Sequence, residues 1–191
     1  MIIGITGGTG CGKTTALNTI RDLGGIIIDC DAVYHVLIKT DRKLLAAIED
    51  RFPGTVTEGA LDRKKLGAIV FSDDQALLDL NRITHGAVKD KVQHILSKGH
   101  KLAAIDAIEL FDSGLAQLCD VTVAITAPLE DRIARLQARD GISREYAELR
   151  IRAQKDESYF RRHCGYVLEN AGTQEDFREK CLAFFRKLTI I

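Results

Sequence analysis

Several features that mark other classes of protein are absent from this sequence of 191 residues. Lysine plus arginine total 27, as do aspartate plus glutamate, so the basic surplus that nucleic-acid-binding surfaces need is missing. There is no tryptophan, and the four tyrosines and seven phenylalanines form no stripe that could stack single-stranded bases. No apolar run approaches the roughly 18 residues that a membrane-spanning helix needs. We therefore predict a protein with neither a nucleic-acid partner nor a membrane partner.

Paired cysteines are also absent. The five cysteines are an odd number and include no C-x-x-C pair, which is typical of reduced thiols in a cytoplasmic protein. The sequence starts with a strand-like pattern rather than a signal peptide, so we expect a cytoplasmic location. Two interpretations of Cys11 and Cys30 remain open: an oxidation-sensitive active site, or small side chains that fill space.

A glycine-rich segment near the N-terminus is the most informative motif that is present. Residues 7–14 read GGTGCGKT, which fits the phosphate-binding loop pattern G-x-x-x-x-G-K-[ST]. An apolar run precedes the motif and a helical pattern follows it, which is the strand–loop–helix context that the motif requires. Backbone N–H groups and the helix start bind phosphates, while Lys13 reaches the β- and γ-phosphates and Thr14 ligates Mg²⁺. The predicted ATP-binding residues here are Gly8, Thr9, Gly10, Cys11, Gly12, Lys13, Thr14 and Thr15.

Five apolar, strand-like runs alternate with helical patterns, which predicts an α/β fold with a five-stranded parallel sheet. The runs lie at residues 2–6, 25–29, 102–106, 121–126 and 165–168. Between residues 32 and 101 we find only helical patterns, so this interval is predicted to be a helical insertion without strands. A second helical stretch, at 131–161, is rich in arginine and is divided into two helices by Asp140-Gly141. We predict one domain that carries two additional segments, the helical insertion and the arginine-rich stretch.

Carboxylates follow the second and third predicted strands, at the sheet edge where parallel sheets place their ligands. Asp29 and Asp31 come after the second strand, and Asp106 closes the third. Asp31 could accept a proton from an attacking hydroxyl, or it could cap the following helix, and its position alone favours neither. Asp106 could hold Mg²⁺, directly or through water, or it could end a strand at the solvent.

The arginine-rich stretch also has two interpretations. The charged residues of a helix usually form its solvent-exposed face. Alternatively, a mobile helical lid can exclude water and bring an arginine to the phosphoryl group that is being transferred. Arg139, directly before the Asp140-Gly141 break, is the residue best placed for that second role. The five histidines show no metal-ligand spacing, and His85 lies in an apolar helical run where a structural role is the default expectation.

Further segments form a combination that ordinary nucleotide kinases do not carry. They are residues 28–32 (IDCDA), 59–66 (GALDRKKL) with 70–71 (VF), 80–85 (LNRITH), 136–140 (LQARD), 150–154 (RIRAQ) and 169–172 (ENAG). In this combination the sequence resembles the dephospho-CoA kinase family across most of its length. The resemblance implies a P-loop kinase fold of three layers, α/β/α. The core would comprise about 1–31, 101–131 and 162–191, with a CoA-binding helical insertion at about 32–100 and a lid at about 132–161.

The resemblance also implies roles for individual residues. Asp31 would be the base for the ribose 3′-hydroxyl of dephospho-CoA, with Lys13 and Arg139 as the other catalytic residues. The lid residue Arg139 would contact the phosphates. Asn170 and Gly172 would lie at the adenine of ATP. Because their motifs fall in the insertion, Arg63 and His85 are predicted to bind the acceptor.

The predicted reaction is ATP-dependent phosphorylation of the ribose 3′-hydroxyl of dephospho-CoA, which gives coenzyme A and ADP. Mg²⁺ is the expected cofactor, and ATP and dephospho-CoA are the expected partners. The sequence leaves the oligomeric state open and is compatible with a monomer. Two departures from the family pattern concern the acceptor side: Gly86 replaces a proline after His85, and residues 108–112 (IELFD) replace P-L-L-F-E. The alternatives are a kinase for another small hydroxyl acceptor, such as a nucleoside monophosphate, or a non-catalytic ATP-switched binding protein.

Overall fold

The computed structural model describes residues 1–189. In chain order, strands β1 to β7 are Ile2–Thr6, Ile26–Asp29, Val56–Thr57, Ala60–Leu61, Ala103–Asp106, Val121–Thr126 and Tyr166–Glu169. Helices α1 to α9 are Lys13–Asp22, Cys30–Thr40, Arg42–Arg51, Arg63–Val70, Asp74–Leu96, Leu129–Asp140, Arg144–Arg152, Glu157–His163 and Gln174–Thr189. A short 3₁₀ helix, Leu115–Leu118, precedes β6.

Five strands form one parallel sheet in the order β2-β5-β1-β6-β7. At its centre Ile3 of β1 lies opposite Ala104 of β5 on one side and Val121 of β6 on the other. Ile3, Ile105 and Ile125 are fully buried, because helices cover both faces of a parallel sheet. The predicted α/β fold with a five-stranded parallel sheet is therefore confirmed.

Helix α1 attaches the phosphate-loop segment to the core. Its apolar positions Ala16, Leu17 and Ile20 are buried, as their helical spacing predicts. They belong to the same buried cluster as Phe177 and Phe185 of α9. This packing fixes α1 against the core, so the end of the loop that joins α1 is held in place.

Tertiary contacts divide the chain into two compact units. The first contains the five-stranded sheet and comprises Met1–Ile28, Gly99–Phe111 and the chain from Leu115 onward. The second comprises Asp29–Lys98 and Asp112–Gly114. In the second unit α2, α3 and α4 pack along the 23-residue helix α5.

The second unit also contains a small β-hairpin, so the prediction of no strand between residues 32 and 101 is wrong. Val56 pairs with Leu61 and Thr57 with Ala60. The two residues of the turn, Glu58 and Gly59, have φ of 51° and 78°, which is the geometry of a type I′ turn. Strands of two residues are too short to show an alternating pattern, so only the turn could have signalled them.

The arginine-rich stretch forms three helices, α6, α7 and α8, rather than the predicted two. The break at Asp140-Gly141 is present, since Gly141 ends α6 with φ 64°. A second break precedes α8, whose first turn is capped by the Asp156 carboxylate through a 2.8 Å bond from the N–H of Tyr159. Within residues 1–189 no helix combines the length and apolarity needed to cross a membrane.

Candidate active site

The glycine-rich loop between β1 and α1 has the backbone conformation of an anion cradle. Gly12 is the N-cap residue of α1, with φ 93° and ψ 27°, and no side chain caps the helix. The first N–H groups of α1 are thus left for a ligand. Gly7 has φ 139°, and a Cβ there would collide with the backbone carbonyl oxygen of Ile125. Both positions therefore require glycine.

Lys13 and Thr14 occupy the first turn of α1. The Lys13 ammonium donates a 3.0 Å hydrogen bond to the carbonyl oxygen of Gly7, so it is held over the loop. The Thr14 residue is exposed, which leaves its hydroxyl accessible to a metal or a phosphate. These are the positions that the motif predicts for a phosphate-binding lysine and a metal-binding hydroxyl.

Side chains from distant segments hold Thr9 at the mouth of the loop. The Arg132 Nε donates to the Thr9 carbonyl oxygen at 2.9 Å. The Thr9 N–H donates to the Oε1 of Gln154 at 2.7 Å. Arg132 lies in the first turn of α6 and Gln154 lies between α7 and α8, so the arginine-rich stretch fixes both backbone groups of Thr9.

Asn170 and Arg135 hold the next part of the loop. Asn170 is 5% exposed, and its Nδ2 donates to the Cys11 carbonyl oxygen at 2.9 Å. Arg135 donates from Nη1 to the Gly10 carbonyl oxygen at 3.3 Å and from Nη2 to the Oδ1 of Asn170 at 3.4 Å. The side chain of Asn170, predicted to lie at the adenine, thus supports the loop backbone. Gly172, its predicted companion, has φ 95°.

Two buried polar atoms beside the loop have no hydrogen-bond partner among the described residues: the Thr126 Oγ1 and the Arg132 Nη2. Both residues line a small cavity together with Gly8 and Cys11. A Cβ on Gly8 would collide with the Arg132 Nη2. The absence of a side chain at Gly8 therefore leaves room for the guanidinium.

Cys11 is a buried thiol within the loop. Burial raises its pKa, although the positive charges of Arg132 and Lys13 act in the opposite direction. A raised pKa means little thiolate at neutral pH, and the thiolate is the reactive form. This favours the space-filling interpretation of Cys11.

Arg139, predicted to contact the phosphates, lies near the end of α6 and is engaged elsewhere in this structure. Its guanidinium forms two hydrogen bonds to the Asp140 carboxylate, at 2.7 and 2.9 Å. Arg150 donates to the same carboxylate at 2.6 Å. Together the two guanidinium groups lower the pKa of Asp140 to about 2.

The contacts to the loop come instead from residues that sequence reasoning did not single out: Arg132, Arg135 and Gln154. A signal was available for the two arginines. Helix α6 begins three residues after β6 ends, so its first two turns lie nearest the carboxyl edge of the sheet. Arg139 lies seven residues beyond Arg132 in the sequence, about 10 Å further along the helix axis. Gln154 ends the segment 150–154 that carries part of the resemblance, but nothing in that segment indicates a contact with Thr9.

The two aspartates at the end of β2 and just beyond it have different positions. Asp29 is the N-cap residue of α2, and its Oδ1 accepts from the N–H of Ala32 at 2.9 Å. The interpretation of Asp31 as the helix cap is therefore wrong. Asp31 lies in the first turn of α2, is exposed, and has no side-chain hydrogen bond or ion pair within the described chain. Its carboxylate is available to a ligand.

Asp106 is the last residue of β5 and is half-buried. Just beyond it, the Thr6 Oγ1 at the end of β1 donates to the Ile108 carbonyl oxygen at 3.0 Å. This bond ties the segment after β5 to the strand that carries the phosphate loop. Among residues 1–189 no three His, Cys, Asp or Glu side chains form a metal-binding group. A Mg²⁺ ion that takes most of its ligands from phosphate and water needs only one or two protein oxygens.

The predicted acceptor residues Arg63 and His85 both lie in the second unit. Arg63 is the first residue of α4, and its Nη2 is 3.3 Å from the Nδ1 of His35. His85 is half-buried in α5. The helix continues through Gly86, where a Cβ would meet no atom within 4 Å. The departure from the resemblance at Gly86 thus leaves α5 continuous.

Comparisons with known proteins identify the family of this chain. The family model described as dephospho-CoA kinase matches residues 1–176. A dephospho-CoA kinase of Moorella thermoacetica is 36% identical over 194 residues, which cover 98% of this chain and 92% of the relative. A crystal structure of a Thermus thermophilus protein has a TM-score of 0.79 at 35% identity and covers 98% of this chain and 97% of its own.

A second solved structure, dephospho-CoA kinase from Campylobacter jejuni, has a TM-score of 0.69 at 25% identity, with 98% and 96% of the two chains covered. The similarity thus includes both units, from the phosphate loop to the helices around α5. The chain belongs to the dephospho-CoA kinase family of P-loop kinases.

Proposed function

We propose that this chain transfers the γ-phosphoryl group of ATP to the ribose 3′-hydroxyl of dephospho-CoA. The 3′-oxygen forms a bond to the γ-phosphorus, and the bond from that phosphorus to the β–γ bridging oxygen breaks. The hydroxyl proton passes to a carboxylate, and ADP and coenzyme A leave. The observation that carries the proposal is the dephospho-CoA kinase family match over residues 1–176, which includes the phosphate loop and the helices of the second unit.

On the nucleotide side, the loop from Gly8 to Thr15 would hold the phosphates through its N–H groups and Lys13. Arg132, Arg135 and Asn170 support this role because they hold the loop backbone in place through the carbonyl oxygens of Thr9, Gly10 and Cys11. Asn170 and Gly172 would also border the adenine. Arg139 would reach the transferring group once its bonds to Asp140 are exchanged.

On the acceptor side, Asp31 would take the proton from the 3′-hydroxyl. Two features support it: Asp29 supplies the helix cap in its place, and the exposed Asp31 carboxylate has no side-chain partner among residues 1–189. Residues 32–100 would form the acceptor-binding insertion, with Arg63 and His85 in contact with dephospho-CoA. Residues 132–161 would form the lid.

Mg²⁺ would be held by the Thr14 hydroxyl and the Asp106 carboxylate. Both are hard oxygen donors of the kind that Mg²⁺ prefers, and Mg²⁺ usually keeps waters and substrate phosphates as its other ligands. When bound, the ion would neutralise charge on the β- and γ-phosphates.

Measuring ADP release by the purified protein tests the reaction. We expect release with dephospho-CoA and Mg·ATP, and much less with nucleosides or nucleoside monophosphates. The Asp31→Asn variant should bind ATP as the wild type does but turn over about 100-fold more slowly, since general-base catalysis contributes on that scale. Undiminished turnover in Asp31→Asn would remove Asp31 from the mechanism. Equal release with every acceptor, or with none, would contradict the proposed substrate.

A further inference from the structure

One carboxylate in the arginine-rich stretch serves two guanidinium groups. Asp140, the last residue of α6, accepts from the Arg139 Nε at Oδ1, 2.7 Å away, and from the Arg139 Nη2 at Oδ2, 2.9 Å away. The same Oδ2 accepts from the Nη1 of Arg150 on α7 at 2.6 Å. Two positive charges therefore lie side by side at a single oxygen and compete for it.

These three side chains form a separate group. Among residues 1–189, none of them has a side-chain hydrogen bond or ion pair outside the group. Arg139 first, and then Arg150, lower the pKa of Asp140 to about 2, so Asp140 is a carboxylate at neutral pH. The group thus holds two positive charges and one negative charge, and either arginine alone could balance the carboxylate.

Other contacts join α6 to α7. Arg144 of α7 donates to both oxygens of the Glu130 carboxylate in the first turn of α6, at 2.7 and 2.8 Å. Four apolar residues of the two helices also form a buried cluster: Ile133, Leu136, Ala147 and Ile151. These contacts link the helices without Asp140, so the second arginine on this carboxylate is not needed to hold them together.

The second arginine bears on how Arg139 is released. Arg139 would act on the transferring phosphoryl group only after it has left both oxygens of Asp140. Without another donor, the carboxylate would lose two charge-assisted hydrogen bonds. Arg150 already donates to one of these oxygens, and a guanidinium has five N–H donors in a planar fork that matches a carboxylate. Arg150 can therefore bind both oxygens as Arg139 leaves.

We propose that Arg150 is a positioning residue that replaces Arg139 at Asp140 and so frees Arg139 for the phosphoryl group in transfer. This rests on the proposed function, since it takes Arg139 to act on the phosphates of ATP. Arg150 acts only through Asp140 and contacts neither substrate. Its loss would leave Asp140 to Arg139 alone, and Arg139 would then be available in a smaller fraction of the protein.

Steady-state kinetics with saturating Mg·ATP test the exchange. Arg150→Gln should lower kcat about three- to five-fold, the scale of one exposed ion pair, and leave the KM for dephospho-CoA within about two-fold of the wild type. Adding Asp140→Asn to that variant should restore kcat, because an uncharged amide no longer retains Arg139. If Arg150 instead served to hold the helices together, the double variant would be the slower one, since it has lost more ion pairs.

The matched control is Arg152→Gln, which removes the same charge from the same helix at a residue that pairs with Glu148 at 3.3 Å. Its kcat should stay within about two-fold of the wild type, because such an exposed pair contributes little. In an Arg139→Gln background, Arg150→Gln should cause no further loss of kcat, since the residue that it frees is absent.

The proposal is overturned if Arg150→Gln keeps the wild-type kcat, or if Arg152→Gln lowers kcat equally. It is also overturned if Asp140→Asn fails to restore the Arg150→Gln variant, which would mean that Arg150 acts on the nucleotide itself or holds the helices together. Independent effects of Arg139→Gln and Arg150→Gln would contradict it as well. A wild-type protein that releases no ADP with dephospho-CoA contradicts the proposed function instead, so the two failures are distinct.

Discussion

Asn170 offers the sharpest test of how the phosphate loop is held. Its side chain is 5% exposed, and its Nδ2 is the donor to the Cys11 carbonyl oxygen at 2.9 Å. Its Oδ1 accepts from Arg135 at 3.4 Å. In Asn170→Ala both contacts are lost while the backbone bond from the Asn170 N–H to the Thr126 carbonyl oxygen, at 2.7 Å, can remain. The variant therefore removes the support that the amide gives to the loop, and its unfolding free energy reports that loss separately from any contact of Asn170 with the nucleotide.

The expected loss of stability follows from burial. A buried carbonyl left without its donor costs about 1–3 kcal/mol, and the long contact to Arg135 adds little. We expect the free energy of unfolding to fall by about 2 kcal/mol, which for a domain of this size lowers Tm by roughly 4–8 °C. Because nucleotide binding would have to order the loosened loop again, we also expect the Kd for Mg·ATP to rise about ten-fold, which is 1.4 kcal/mol.

Thermal unfolding and calorimetric titration with Mg·ATP measure the two effects. The matched control is Asn18→Ala, which removes an exposed amide that accepts from Arg21 at 2.9 Å on the surface of α1. Such an exposed pair contributes about 0.5 kcal/mol or less, so Tm should barely move. If Asn170→Ala resembles Asn18→Ala in both measurements, the amide does not support the loop and this reasoning is refuted.

Two further predictions concern the surface of each unit. Glu58 has φ 51°, a conformation that is unfavourable for a residue with a Cβ. Glu58→Gly should therefore raise the free energy of unfolding, measured in urea, by about 0.5–1 kcal/mol. A decrease would mean that the Glu58 side chain makes a compensating contact. In the folded protein Asp140 has a pKa of about 2, below its ordinary pKa of about 3.9. Its ion pairs therefore contribute fully to the free energy of unfolding above the ordinary pKa, and this contribution is lost as the pH falls through the folded-state pKa. Asp140→Asn should therefore be less stable than the wild type at pH 7, with a deficit that shrinks during acid titration, and a deficit independent of pH would contradict the ion pairs.

The parallel sheet was predictable from sequence because its inner strands are buried on both faces. Such strands are continuous apolar runs, as at Ile2–Thr6 and Val121–Thr126, and periodicity detects them directly. The hairpin at Val56–Thr57 and Ala60–Leu61 left no such signal because each strand has two residues. The break before α8 depends on the cap residue Asp156, which a continuous run of charged residues conceals.

The phosphate loop was predictable for a different reason: its chemistry depends on a local backbone shape that few residues allow. Gly7 and Gly12, with φ of 139° and 93°, are dictated by that shape. The supports of the loop were not predictable in the same way, since Gln154 lies 145 positions from Thr9 in the sequence. Contacts over that distance depend on how helices pack, and any of several polar residues could supply them.

The capping bond at the start of helix α2 determines which aspartate is available to a ligand. A carboxylate that caps a helix accepts from the first free N–H groups and is then poorly placed to take a proton from a substrate. Because Asp29 accepts from Ala32 at 2.9 Å, the helix starts early enough for Asp31 to lie within its first turn. Asp31, His35 and Lys39 then fall on one side of a single rigid element. In the proposed complex the base Asp31 is therefore positioned by a helix whose start is fixed by Asp29. Asp29→Ala should thus lower the turnover of the purified protein although Asp29 makes no contact with the substrate.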